Sequence, residues 1–179
     1  MKKPKYRTGE KSLTKKEFEK LMSKVSQLDT EILILLAVKT GLRRDDVVNL
    51  TIANINTKEK SITFHEKKKR KIRTIFIDSE MARKLDIYLN TLPKKQTRLF
   101  AFRSKTAYNK LQRLCDLAEI PRRPFHALRA TCIKFCQQAK WTPEEVSELT
   151  GDSIRVIQEH YSTPSLTEMK EVAEEKRII

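Results

Sequence analysis

The chain has little that would tie it to a membrane, an oxidising compartment or a bound metal. No apolar run in its 179 residues approaches the roughly 20 that a membrane-spanning helix needs, and the basic N-terminus leads into no signal-like stretch. Cysteine is scarce and odd in number. Cys115, Cys132 and Cys136 form no regular framework, which indicates reduced thiols in an intracellular protein. Cys132 and Cys136 lie one helical turn apart, as a metal pair would, but no matching His/Cys pair exists, so they read as small buried apolar side chains. The three glycines build no phosphate-cradling loop, no carboxylates are spaced for a metal, and no serine sits in a nucleophile elbow. Repeats and low-complexity tracts are missing as well.

Acidic residues are also in short supply. Thirty-eight Lys and Arg face 23 Asp and Glu, a net charge of +15. That excess points to a polyanionic partner, because neutralising phosphates releases counterions and supplies affinity. The plainer reading is a solvated, Lys-rich surface. With 39% apolar and 34% charged residues the composition fits a globular chain long enough to bury a core.

The pattern predicts a mainly α fold with one small antiparallel sheet. Residues 1–12, "MKKPKYRTGEKS", read as a basic arm or linker remnant, 13–164 as the main domain and 165–179 as a terminal helix. Thr14 with Glu17 makes a capping box. "DTEILILLAVKTG" is a largely buried helix with Asp29 as N-cap and Gly41 as its stop, followed by a short helix over "RRDDVVNL". "SITFHE" and "RTIFI" predict a hairpin joined by "KKKRKI". Ser79 should cap the next helix, which Pro93 ends. "KTAYNKLQRLCDLAEI" is helical, then "PRRP" interrupts. "FHALRATCIKFCQQA" follows, with Phe125, Leu128, Cys132, Cys136 and Ala139 on its buried stripe. Thr142, Pro143 and Glu145 open a helix over "PEEVSELT", and "GDSIRVIQEHY" ends on Tyr161.

Several polar residues are not explained by packing. Arg43, just past Gly41, can offer a planar fork to two phosphate oxygens, or can pair with Asp45 or Asp46 at helical spacing. His126 and Arg129, at i and i+3, share a face beside the buried stripe, where a guanidinium can hold an oxyanion while an imidazole trades protons. Lys67, Lys68, Lys69, Arg70, Lys71 and Arg73 crowd a single hairpin, a density that a solvated turn explains poorly. Cleavage of a phosphodiester by such groups would use a side-chain nucleophile and cationic electrophiles, with no metal or cofactor.

In this order the residues resemble the catalytic domain of the tyrosine recombinase (phage integrase) family over nearly the whole chain. "TGLRRDDVVNL" is similar to the family's TGLR-x-x-E/D-x-x-x-L, placing its first arginine at Arg43 and its acidic residue at Asp46. "KKKRKIRTIFI" resembles K-x-x-K-x-R-x-V-P-L, which aligns the catalytic lysine with Lys68, or with Lys67 or Lys69 if the register slips. "HALR" matches H-x-x-R at His126 and Arg129, and "LTGDSIRVIQEHY" is similar to L-G-H followed by the nucleophile, at Tyr161. One position departs: Asp152 stands where the family has His or Trp, and a carboxylate cannot donate a hydrogen bond unless protonated. It then caps the nucleophile's helix or orients Arg43 or Arg129; His160 is a second candidate for the missing donor.

The resemblance implies strand transfer on double-stranded DNA without metal or ATP. Tyr161 would form a 3′-phosphotyrosyl link, His126 would assist its proton, Arg43 and Arg129 would stabilise the phosphate charge, and Lys68 would protonate the leaving 5′-oxygen. It also implies a tetramer on paired sites, a monomer in free solution, a cytoplasmic or nucleoid location, and an N-terminal DNA-clamping domain that is missing here. The terminal helix, with Leu166, Met169, Val172 and Ala173 along one side, would dock on its own domain or on a neighbour. A type IB topoisomerase-like enzyme, and a DNA-binding relative without turnover, are the alternatives.

Overall fold

Side-chain caps start some of the helices and not others. In this computed structural model, residues 11–161 are described, together with 170, 173 and 174; the side chains of His160 and Tyr161 are outside the description. The arm expected over 1–12 is therefore described only at Lys11 and Ser12. The helix expected over 165–179 lies outside the described residues except at Lys170, Ala173 and Glu174, which are helical and exposed.

Helix α1 (Lys15–Ser23) opens on the Thr14–Glu17 capping box, with Glu17 N–H donating to Thr14 Oγ1 at 3.2 Å and Thr14 N–H to Glu17 Oε2 at 2.8 Å. Helix α2 (Leu28–Thr40) begins one residue before the expected cap. Gln27 takes the N-cap position, and Asp29 sits in the first turn, where the helix dipole favours a carboxylate and Lys110 Nζ reaches it at 3.2 Å. α2 is buried from Ile32 to Val38 and forms the centre of the molecule. Gly41 stops it in the left-handed conformation (φ 63°), and a Cβ there would lie 2.8 Å from Thr150 Cγ2.

Helix α3 (Arg44–Val48) leads through a 3₁₀ turn (Ile52–Asn54) to a sheet of order β1-β2-β3: β1 (Ile55–Asn56), β2 (Ser61–Glu66) and β3 (Lys71–Phe76), all antiparallel. β1 has two residues, too few to show a period in the sequence. The hairpin register pairs Glu66 with Lys71, so the connection is only Lys67–Arg70, and Lys71 and Ile72 belong to the strand. Arg70 closes the turn at φ 50°.

Helix α4 (Ser79–Thr91) is capped by Asp78, whose Oδ1 accepts Met81 N–H at 2.8 Å. Ser79, expected in that role, instead receives Lys60 Nζ at 2.8 Å. Helix α5 (Ser104–Leu117) stops short of Ile120 because Glu119 turns to φ 53° and Ile120 N–H folds back on Cys115 O. Helix α6 (His126–Gln138) buries Leu128, Cys132 and Cys136, with Phe125 buried at its start; Ala139, expected on that stripe, is exposed beyond its end. Helix α7 (Pro143–Thr150) starts on the Thr142–Glu145 capping box and ends on Gly151 (φ 75°); helix α8 (Ile154–Tyr161) follows.

One large apolar cluster joins α1–α5, the inner face of the sheet and the start of α6. A second is small: Ala130, Cys132, Ile133 and Cys136 from α6, Val146 and Leu149 from α7, and Ile157 from α8. α6 is the wall between them. Among the described residues no helix is long and apolar enough to cross a membrane.

Candidate active site

Arg43 occupies the N-cap position of α3 with extended backbone (φ −67°, ψ 150°). It precedes the helix and shares no helical face with Asp45 or Asp46, so the expected i, i+3 pairing does not form. Its Nη1 donates to Glu66 Oε1 at 2.6 Å and its Nη2 to Asp152 Oδ1 at 3.4 Å. Asp45 instead lies 3.5 Å from Arg44 Nε. Asp46 is buried and accepts the Lys67 backbone N–H at 3.4 Å, tying α3 to the hairpin turn. Burial raises its carboxyl pKa, against the pull of that N–H and of Arg43.

Arg129 rises from the first turns of α6. Expected beside the buried stripe, it is 2% exposed. Its Nε donates to Asp152 Oδ2 at 2.9 Å and its Nη1 to Gly41 O. Nη2 lies 2.7 Å from Asp152 Oδ1 without hydrogen-bond alignment, leaving a buried donor without a partner. Asp152 is thus shared between Arg129 and Arg43. Burial would raise its pKa, but the Arg129 hydrogen bond and the charges of Arg129, Arg43 and His126 outweigh that and hold it below the ordinary carboxylate range. Its side chain does not cap α8; Ser153 Oγ, which accepts Val156 N–H at 3.3 Å, does.

Arg73, expected to face DNA, points inward. It is 9% exposed, with Nη1 donating to Glu66 Oε2 (3.2 Å) and Thr150 O (3.4 Å), and Nη2 to Glu148 O (2.9 Å) and Leu149 O (3.1 Å). The strand period explains this. Arg73 and Ile75 share the inner face of β3, opposite Phe64 and Ile62 of β2. The guanidinium satisfies the last carbonyls of α7 and lies against Gly151, where a Cβ would come within 2.8 Å of its Cζ. Lys69 Nζ donates to Gly151 O, so it too serves the α7–α8 turn.

Glu66 is the residue that sequence reasoning missed. It is fully buried (0% exposed), and its signal was present: Ile62, Phe64 and Glu66 alternate inward along β2. Burial would raise its pKa, but the Arg43 hydrogen bond and the charges of Arg73 and Arg43 hold it low. Three guanidinium groups, Arg43, Arg73 and Arg129, meet two carboxylates, Glu66 and Asp152, with the buried Asp46 carboxylate close enough to feel Arg43 and Arg129.

A cleft of about 530 Å³ opens beside this layer, lined by Arg43, Lys67, Lys68, His126 and, unanticipated, Tyr108. His126, the first residue of α6, is open to solvent on the cleft side. The protein beneath it and the nearby Arg129 and Arg43 charges hold its pKa below the ordinary value, opposed by Asp152, so a neutral imidazole able to accept a proton faces the cleft at pH 7. Lys67, Lys68, Lys69, Arg70 and Lys71 are exposed. The structure therefore brings Arg43, Lys68 and His126 to one cleft, joins Arg129 to Arg43 through Asp152, and runs α8 from that layer to the backbone of Tyr161. The Tyr161 and His160 side chains lie outside the described residues.

Solved structures share this arrangement of elements. The crystal structure of XerA recombinase superposes with a TM-score of 0.80 at 19% identity, covering 94% of this chain and 65% of that one. The catalytic domain of bacteriophage HP1 integrase gives 0.64 at 23%, covering 93% and 94%. XerH recombinase bound to its difH substrate gives 0.71 at 20%, covering 91% and 53%. In sequence, tyrosine recombinase XerA of Saccharolobus solfataricus is 29% identical over 129 residues; the aligned part is 72% of this chain and 44% of that protein, so the chain spans less than half of this relative's length. A sequence model of the phage integrase family matches residues 11–165, which contain α1 to α8 and the three strands, and the chain belongs to that family.

Proposed function

We propose that residues 13–164 are the catalytic domain of a site-specific DNA recombinase that breaks and rejoins strands through a 3′-phosphotyrosyl intermediate. The observation that carries this reading is the pair of guanidinium groups, Arg43 and Arg129, drawn together on Asp152 beside a cleft that also holds His126 and Lys68. The Arg43, Lys67 and Lys68 cations that line the cleft suit a phosphate. As the pentacoordinate phosphorus forms, Arg43 and Arg129 stabilise its non-bridging oxygens; each such donor is typically worth about 10²–10³-fold in rate. Tyr161 attacks, and neutral His126 assists the movement of its proton. Lys68 protonates the departing 5′-oxygen. The phosphotyrosine keeps the bond energy, so a 5′-hydroxyl from another strand can reverse the step without ATP.

Asp152, ionised in this environment, acts by fixing Arg129 and Arg43 rather than by donating to the phosphate. Exposed Lys67, Lys69, Arg70 and Lys71 supply backbone contacts to duplex DNA, Lys69 in competition with its bond to Gly151 O; Arg73, buried against the α7–α8 junction, does not. Exchange of strands calls for four protomers on two duplexes, with residues 165–179 as a docking helix, and for work where DNA lies, in the cytoplasm or nucleoid.

The test uses a library of nicked duplexes of randomised sequence, incubated with the full chain and resolved on a denaturing gel. The wild-type chain is expected to trap covalent protein–DNA adducts, whereas Tyr161→Phe gives none while its DNA affinity changes by less than about 3-fold. Adducts formed by Tyr161→Phe, or none formed by the wild-type chain, overturn the proposal.

A further inference from the structure

A carboxylate with no exposure is costly to keep, and an apolar side chain of the same size often stabilises such a position better. Glu66 occupies one at the end of β2, and each of its oxygens is committed: Oε1 to Arg43 Nη1 at 2.6 Å and Oε2 to Arg73 Nη1 at 3.2 Å. From Arg73 the contacts continue to the carbonyls of Glu148, Leu149 and Thr150, the last turn of α7. The chain then passes through Gly151, packed against the same guanidinium, to Asp152, whose Oδ1 returns to Arg43 Nη2 at 3.4 Å. The contacts close a ring. Within it Arg43 is held from both sides, by Glu66 on the hairpin and by Asp152 on the α7–α8 turn.

We propose that Glu66 is a positioning residue for strand transfer: it aims the Arg43 fork at the phosphate and, through Arg73, sets that fork in register with the turn from which α8 and Tyr161 extend. The proposal rests on the strand-transfer reading above. Arg43 is only partly exposed, and its remaining N–H donors are useful only if the plane of the guanidinium is fixed. A bidentate phosphate contact is lost by a modest rotation of that plane. Glu66 makes no contact with the cleft itself; its effect passes through Arg43.

The experiment follows single-turnover adduct formation on a nicked duplex recovered by the wild-type chain from the randomised library. The full chain, Glu66→Gln, Arg43→Lys and the double variant are compared, each with its DNA affinity and urea unfolding. Glu66→Gln is expected to slow adduct formation about 10–100-fold while affinity changes by less than about 3-fold, and unfolding stays cooperative. Arg43→Lys has already given up the fork that Glu66 aims, so adding Glu66→Gln to it costs less than about 3-fold more. A wild-type rate for Glu66→Gln overturns the proposal, as does a full multiplicative loss in the double variant or a loss carried by affinity. Should Glu66→Gln fail to fold, Glu66→Asp, which keeps the charge and shortens the reach, enters the same cycle with the same expected and overturning results. Adducts with the wild-type chain and an unimpaired Glu66→Gln reject this proposal alone; no adduct with the wild-type chain rejects the strand-transfer reading and this proposal with it.

Discussion

The large apolar cluster and the small one hold opposite sides of the same site by different means. Arg43 and the hairpin stand on the large cluster, through α2, α3 and the inner face of the sheet. Asp152 and α8 stand on the small one, where seven buried side chains from α6, α7 and α8 pack together among the described residues. What apolar burial lacks on that side is supplied by charge. Arg73 and Lys69 take four successive carbonyls, from residue 148 to residue 151, and Asp152 is held by Arg129. Burial is non-directional and survives small shifts, whereas charged hydrogen bonds require a geometry and can be traded for a phosphate. The hairpin side thus rests mainly on non-directional burial, and the α7–α8 side on hydrogen bonds that need a fixed geometry.

The sharpest way to break that contrast is Asp152→Ala. Arg129 is 2% exposed, and losing the carboxylate leaves its charge buried and underpaired, at a cost of about 3 kcal/mol. Differential scanning calorimetry should show a fall of roughly 6–12 °C in Tm. A change within about 2 °C would mean that the small cluster holds the α7–α8 side without help from charge. Next comes Ile157→Ala, which truncates the fully buried α8 side chain in that cluster at a local cost of about 2 kcal/mol. Amide exchange within α8 should accelerate by roughly 10–30-fold while the urea midpoint stays nearly fixed, as expected of a unit that opens by itself. A proportionate drop in the midpoint would show both clusters unfolding as one.

The smallest effect is expected from pH. Asp152 and Glu66 have pKa values depressed in the folded protein, so their contribution is complete above the ordinary values of 3.8 and 4.5 and is lost as pH falls through the lower, folded ones. Between pH 7 and 5 they leave Tm unchanged. His126 has the opposite charge logic. Its folded pKa lies below 6.5, so the unfolded chain binds the proton more readily, and stability declines slightly as pH falls below 6.5. His126→Asn should flatten that slope in thermal melts taken from pH 7.5 to 5.5. An unchanged slope would remove His126 as its source.

Much of the fold was legible because its signals are local. The Thr14–Glu17 and Thr142–Glu145 boxes, the stops at Gly41 and Gly151 and the alternation of β2 all act within a few residues of themselves. Failures occurred where two neighbours could do one job. Asp78 rather than Ser79 caps α4, and Gln27 rather than Asp29 precedes α2, with Lys110 reaching both Gln27 and Asp29. Arg73 looked like one more hairpin cation, yet it shares the inward period of Ile75, and the same period should have flagged Glu66.

The order of Arg43, the lysine run, His126, Arg129 and Tyr161, and the helices and strands that carry them, were determined by the sequence alone, since periodicity and capping are written within single turns of chain. Which cations are tied into ion pairs and carbonyl contacts, and which stay exposed, was decided only by the tertiary structure. Glu66 lies 23 residues from Arg43, Asp152 lies 109 residues from it, and the α7 carbonyls lie more than 70 residues from Arg73. An ion pair is made by a distance of a few ångströms in space, and spacing along the chain says nothing of it until packing has brought the partners together.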